Sequence, residues 1–250
     1  FAVLATSIDK MVQRMLEQQS ILQKEKVFLA DSMADISHQM KTPLTSISLL
    51  LNLLQEEHLS EKKRLQYVQD LMKLTGRIDW MVYALLRLAK LDAGTVQLQQ
   101  IPYQIEDLIK AAVTPLEIAL DIRDITLEVQ IQPDLQHRGD ISWMTEAVSN
   151  ILKNCMEHTP SGGHIRIVTK DNPLYLLIKI TDSGSGFTKQ DLPHIFERFY
   201  RGQNADTDSV GIGLALAKRI IIAQNGTIRA YNHKKDGGAV FEIRMYKGAV

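Results

Sequence analysis

A single cysteine, Cys155, stands among the 250 residues, so neither an internal disulfide framework nor a multi-cysteine zinc site can be built. A small buried apolar residue is a plainer role for it than a reactive thiol. No stretch approaches the roughly 18 consecutive apolar residues of a membrane-crossing helix. Charge of one sign is not in excess either, because 29 Lys+Arg balance 29 Asp+Glu. Domains that hold nucleic acid by overall charge are clearly basic, so that class is set aside, although a local basic patch is not. The pattern GxxxxGK[ST] is absent, which removes the P-loop enzymes. Internal repeats and low-complexity tracts are missing too. The chain opens on Phe1-Ala2-Val3-Leu4 without an initiator Met, and the expectation is a piece of a longer protein.

What is present is an ordinary globular composition, 45% apolar, in a length that allows one large domain or two modest ones. The first part reads as helix. Leu29, Met33, Ile36, Met40, Leu44, Ile47, Leu51 and Leu54 recur at gaps of three and four, as do Leu65, Val68, Met72, Thr75, Ile78, Val82, Leu85 and Ala89. A short polar connection separates the two stripes, Ser60 can cap the second helix, and Asp92-Ala93-Gly94 ends it. This predicts an antiparallel helical hairpin. One hairpin leaves much apolar surface bare, and two copies pairing as a four-helix bundle would bury it, so a homodimer is expected. Ile8, Val12, Met15 and Leu22 make a weaker heptad lead-in. After Gly94 the pattern changes. A strand is predicted ending near Pro102, helices over 105–120, 142–158 and 211–224, and strands over 125–131, 163–169, 174–181, 227–231 and 239–245. Lys235-Asp236-Gly237-Gly238 reads as a hairpin turn. The fold class is α+β: the hairpin, then an α/β sandwich. The expected domains are a lead-in over 1–27, the hairpin over 28–94 and the sandwich over 95–250.

Four constellations carry chemistry. In Ser37-His38-Gln39-Met40-Lys41-Thr42-Pro43, His38 lies two residues from both Ile36 and Met40, about 200° around the helix, and faces solvent. Pro43 cannot donate to the Gln39 carbonyl, which predicts a local kink beside an accessible imidazole. Asn150, Asn154 and His158 recur every four residues on one helix face, and amide oxygens in such a row suit a Mg²⁺ that keeps its waters and bridges phosphates. Asp182-Ser183-Gly184-Ser185-Gly186 follows a strand, so a carboxylate can accept from an exocyclic amine while glycines let backbone approach a flat ring. Gly211-Ile212-Gly213-Leu214 opens a helix, a ready anion site. Before it lie Arg198 and Arg201, candidate phosphate contacts, and a polar segment, Gln203 to Val210, that reads as a flap. A surface histidine, a solvated polar face, a tight turn and a surface loop are the respective plain alternatives.

In this order the motifs resemble those of the two-component sensor histidine kinases, whose phosphoacceptor box, N box, two glycine boxes and phenylalanine box are matched around His38, Asn150–Asn154, Asp182–Gly186, Gly211–Gly213 and Ile195–Tyr200. The resemblance implies a dimeric helical hairpin followed by a Bergerat-type ATP-binding sandwich. It implies that Asp182 reads the adenine amine, Asn154 holds Mg²⁺ and the Gly211–Gly213 helix start, with Leu214, receives phosphates. Asn150, His158, Gly184 and Gly186 complete the nucleotide site. His38 would take the γ-phosphoryl group of ATP and pass it to an aspartate of a response regulator. Imidazole, with an ordinary pKa of about 6.5, is available neutral near pH 7 for that attack. Thr42 matches the position that orients a water for dephosphorylating the regulator. The resemblance further implies the cytoplasmic domain of a bacterial inner-membrane protein, itself soluble and anchored through a segment upstream of Phe1, with no nucleic-acid partner.

Two positions depart from the family. Gln39 stands where Glu or Asp usually acts as base, and an amide cannot take a proton. Asp35, one turn before His38, is the candidate to share that task. Glu157 stands where the N box often carries a basic residue, and Lys153 is the candidate replacement. The rival readings are an ATPase of the same fold and a nucleotide-binding dimeric scaffold without phosphotransfer. The first lacks its acidic residue, since Asn150 occupies that place, and leaves the helical prefix without a role.

Overall fold

A 53-residue helix, α1 (Ala2–Leu54), opens the chain in the computed structural model, which describes residues 2–56, 58–202, 210–233 and 237–248. The expected flap over Gln203–Ser209 and the Lys235-Asp236 half of the expected hairpin turn lie outside the described residues, as do the side chains of Ile8, Leu22 and Leu29. Helix α2 (Glu61–Asp92) follows. Residues Phe1–Ile78 and Asp79–Val250 form two compact units, so α2 begins in the first and ends in the second.

In the first unit α1 runs on as helix through Pro43. Ile36, Met40, Ile47, Leu50 and Leu54 are half-buried, as are Tyr67, Leu71, Leu74 and Ile78 of α2. Only Ile78 of that second row is among the expected residues. Leu65, Val68 and Met72 are exposed at 56%, 41% and 71%. The helix therefore carries two apolar faces, and the sequence period alone could not tell which one a single chain covers.

The second unit takes up the last turns of α2, where Met81, Ala84, Leu88 and Leu91 are buried. Here too the expected row is displaced: Val82 and Ala89 are exposed. Gly94, at φ 63°, ends the helix, and Thr95 turns back to the Lys90 carbonyl through its N–H at 3.2 Å and its hydroxyl at 3.1 Å. The chain continues through β1 (Ile101–Gln104), α3 (Ile105–Val113), a 3₁₀ turn (Thr114–Leu116), α4 (Glu117–Ile122), β2 (Thr126–Gln130), β3 (Gln136–Gly139), α5 (Ile141–His158), β4 (His164–Asp171), β5 (Tyr175–Asp182), α6 (Gly213–Ala223), β6 (Gly226–Asn232) and β7 (Ala239–Tyr246). The strand expected to end near Pro102 instead starts at Ile101, and the single helix expected over 105–120 breaks at Pro115, which cannot continue the hydrogen-bond ladder. Strand β3 was not anticipated, since Gln136-His137-Arg138-Gly139 shows no apolar alternation.

One sheet has the order β2-β4-β5-β7-β6, with β2 parallel to β4 and the other neighbours antiparallel; β1 and β3 pair separately. Along β5, Leu176, Ile178, Ile180 and Asp182 are buried in strict alternation. The period of two therefore carries an aspartate, at the strand's end, into the same layer as three core residues.

Candidate functional site

Helix α5 is the platform of the site. The Asp140 carboxylate caps its start, accepting from Ser142 and Trp143 N–H at 3.1 and 3.3 Å. Its inner side buries Met144, Ala147, Val148, Ile151, Leu152 and Cys155, which leaves Asn150, Asn154 and His158 half-buried on a common face. Asn150 Nδ2 donates to the Glu146 carbonyl at 2.9 Å. Its Oδ1 lies 3.1 Å from where a Cβ on Gly213 would stand. A Cβ on Gly184 would stand 2.4 Å from the His158 carbonyl oxygen. Gly184 thus lets one loop close on the His158 end of that face at a distance a side chain forbids, and Gly213 lets the other approach Asn150 more tightly than a Cβ ordinarily does.

Asp182 is only 3% exposed. A buried carboxylate is costly unless hydrogen bonds replace water. Here Oδ1 accepts from Gly184 N–H at 2.9 Å and Ala239 N–H at 3.0 Å. The Cys155 thiol also bonds to Asp182; complete burial and this neighbouring charge push it well above the ordinary thiol range, so it stays a donor. Gly186, at φ 71°, passes so close to the Gly237 carbonyl that a Cβ would lie 2.3 Å from its oxygen. The Asn232 side chain fixes the next residue, accepting from Phe187 N–H at 2.8 Å and donating to its carbonyl at 2.7 Å.

At the other end, Phe199 N–H donates to the Gly211 carbonyl at 2.9 Å, and both residues have positive φ. Ile212 gives α6 no side-chain cap, so the helix starts at Gly213 with its first N–H groups untouched by the residue before it, the arrangement that suits an anion. Leu214 is half-buried in its first turn. In the first unit, His38 and Asp35 are exposed and Gln39 half-buried. The Thr42 hydroxyl lies 3.4 Å from the His38 carbonyl, and Pro43 leaves the Gln39 carbonyl without its N–H donor.

The His Kinase A (phospho-acceptor) domain model matches residues 29–94, and the model of the histidine kinase-, DNA gyrase B- and HSP90-like ATPases matches residues 139–248. The chain carries the catalytic core of a two-component sensor histidine kinase. The first match separates this kinase core from ATPases that share only its second part. It is 32% identical over 225 residues to the sensor protein SphS of Synechococcus elongatus, an alignment covering 85% of this chain and 53% of the relative. The chain spans about half the length of the relatives it matches. In fold it is similar to the histidine kinase AdeS of Acinetobacter baumannii, with TM-score 0.68, 19% identity and coverage of 85% of this chain and 98% of that one. It is also similar to the histidine kinase ThkA in its complex with the response regulator protein TrrA, with TM-score 0.73, 18% identity and coverage of 90% and 64%.

Within this kinase core, Asn150, Asn154, His158, Asp182, Gly184, Gly186, Gly211, Gly213 and Leu214 gather around α5 and its two loops. Two expected contacts do not join them. The Arg198 guanidinium is paired with the Asp92 carboxylate, and Arg219 Nε lies 2.8 Å from the same group. An aspartate at a helix C-terminus meets the negative end of the dipole, and two arginines offset both charges. Lys153 is the second: its Nζ stands 4.0 Å from Glu157 and 5.4 Å from the Trp80 ring centroid, turned toward α2 instead of the asparagine row. Arg201 is exposed. Sequence reasoning missed the inner wall at Gly238 and Ala239. A Cβ on Gly238 would lie 1.9 Å from the Asp182 carbonyl oxygen, and Ala239 supplies one of the two amides that hold the carboxylate. The signal was the glycine pair, read only as a turn.

Proposed function

We propose that this kinase core phosphorylates His38 from ATP and passes the phosphoryl group to an aspartate of a response regulator. The observation that carries the nucleotide half is the face of α5 bracketed by a buried carboxylate at one loop and an uncapped helix start at the other. Asp182 is the acceptor for the adenine amine, and the Gly211–Gly213 turn is the anion seat for phosphates. Among the described residues no three His, Cys, Asp or Glu side chains gather as a metal site. The Asn154 amide oxygen is the side-chain ligand that would hold a Mg²⁺ arriving with ATP, and the ion would neutralise phosphate charge.

Exposure of His38 supports its role as acceptor. Its ring nitrogen forms the N–P bond, the bond from γ-phosphorus to the bridging oxygen breaks, ADP leaves, and the ring proton passes to Asp35 or water. Thr42, one turn along, orients the water that dephosphorylates the regulator. The exposed row Leu65, Val68 and Met72 supports a homodimer, because a second hairpin would cover it. The domain division we favour is 1–27 as lead-in, 28–94 as phosphoacceptor hairpin and 95–250 as catalytic domain. No helix among the described residues is long and apolar enough to cross a membrane; the proposed anchor of the parent protein lies upstream of Phe1.

Incubation of the chain with γ-labelled ATP tests the reading. Acid-labile label on the protein, lost in His38→Gln, is the expected result. Free phosphate alone would make the chain an ATPase, and neither product a nucleotide-binding scaffold.

A further inference from the structure

One buried acid lies apart from the groups assigned so far. Asp191 is 7% exposed, and its N–H donates to the Thr188 hydroxyl at 3.0 Å, which fixes its backbone. Its Oδ1 accepts from the Tyr200 hydroxyl at 2.7 Å. Its Oδ2 lies against Gly202, 3.2 Å from the site of a Cβ there. One carboxylate oxygen is therefore bonded to Tyr200, and the other faces Gly202. The stretch 200–202 is in turn stacked on the second glycine turn. The Tyr200 carbonyl oxygen would be 2.5 Å from a Cβ on Gly211, and Phe199 N–H bonds to the Gly211 carbonyl. Two residues later, Gly213 begins α6 beneath Asn150.

We propose that Asp191 is a positioning residue for the phosphate-binding turn, acting through Tyr200 on Gly211. The inference rests on the ATP reading above and deepens it. Tyr200 bridges about ten residues, from a buried, negatively charged acceptor to a turn whose positive φ gives it little stiffness of its own. Without that tie the 199–202 backbone loses its register on Gly211, and the N–H groups at the start of α6 lose the direction that a bound anion needs. The adenine end, held by Asp182, Gly184 and Ala239, is a separate set of contacts and should not respond.

The experiment compares MgATP and adenosine binding to the full chain, by calorimetry for the first and ligand-observed NMR for the second, with thermal unfolding of the nucleotide-free protein alongside. Tyr200→Phe and Asp191→Ala are each expected to weaken MgATP binding by about ten-fold, the size of one lost hydrogen bond to a charged acceptor. Adenosine affinity should stay unchanged. The double variant should be no worse than Asp191→Ala alone, because Tyr200→Phe removes a tie that is already lost there. Asp191→Asn keeps an oxygen for the Tyr200 hydroxyl and should restore MgATP binding to within about two-fold. Unchanged MgATP affinity, parallel loss of MgATP and adenosine, or a loss that tracks a lowered unfolding temperature would each overturn the proposal. A wild-type chain that binds adenosine and not MgATP would overturn it too, and one that binds neither would overturn the ATP reading beneath it.

Discussion

Replacing Asp182 by Asn or by Ala separates two tasks that this carboxylate performs. In Asp182→Asn the amide oxygen can still accept from Gly184 and Ala239 N–H, the donors that Oδ1 meets at 2.9 and 3.0 Å, so the fold should keep both bonds. What changes is the face offered to a ligand: an NH₂ replaces an acceptor oxygen and meets the adenine amine donor to donor. Loss of a hydrogen bond to a charged group is worth about 1.5–3 kcal/mol, and the unpaired donors add to it, so ATP affinity should fall on the order of 10²-fold. Asp182→Ala instead leaves two backbone N–H groups without their acceptor in a site that is 3% exposed. At about 1–3 kcal/mol for each orphaned donor, the loss is roughly 2–6 kcal/mol of stability, or a fall in unfolding temperature of several degrees to about 20 °C for a domain of this size. The assay pairs calorimetric titration of MgATP with thermal unfolding for both variants. If Asp182→Asn binds ATP as the wild type does, Asp182 does not read the nucleotide. If the two variants unfold at the same temperature, the carboxylate is not what satisfies those amides.

Four further outcomes are expected. His38→Gln should abolish acid-labile labelling and leave ATP affinity intact, read by calorimetry, because His38 belongs to the first compact unit and the nucleotide face to the second. Gly213→Ala should push Asn150 Oδ1, only 3.1 Å from the new methyl, and lower ATP affinity several-fold with about 1 kcal/mol or less of stability lost in urea; an unchanged affinity would remove that contact from the site. Thr42→Ala should retain autophosphorylation and lose regulator dephosphorylation, since a methyl group cannot hold a water; equal loss of both would make Thr42 structural. His137 is buried against Tyr103, and desolvation lowers its pKa below the ordinary histidine value. The unfolded chain then binds the proton first, so the stability due to the neutral ring is present above about pH 6.5 and is lost as pH falls from there through the folded-state value. His137→Gln should flatten the urea midpoint across that window, and an unchanged slope would refute the assignment.

Much of this was legible because the chemistry is local. His38 beside Pro43, the asparagines at a spacing of four and the glycine turns each lie within a few residues, where helix geometry and φ preferences decide their placement. The hidden part was long-range. Arg198 finds Asp92 across 106 positions, and nothing near either residue announces the pairing. Lys153 turns toward Trp80 because that ring and Glu157 are there, which no period encodes. The stripes of α2 were readable as helical, but Met81, Ala84, Leu88 and Leu91 are buried instead of the neighbouring row because tertiary packing chose between two apolar faces. Gly238 looked like turn punctuation, and only the sheet's register brings it against Asp182.

The run of α2 into the second unit has a spectroscopic consequence. The chain has two tryptophans, Trp80 and Trp143, and both flank the seam between the end of α2 and α5. Each ring carries a cation: the Lys153 Nζ stands 5.4 Å from the centroid of Trp80, and the Arg87 guanidinium 4.0 Å from that of Trp143. Arg87 also reaches Glu146 at 3.3 Å, one turn before Asn150. Tryptophan emission from this protein is therefore a label-free reporter of that seam. A shift in emission maximum on adding nucleotide would mean that ligand at the α5 face is felt at the root of the hairpin, measured without attaching a dye or changing a residue.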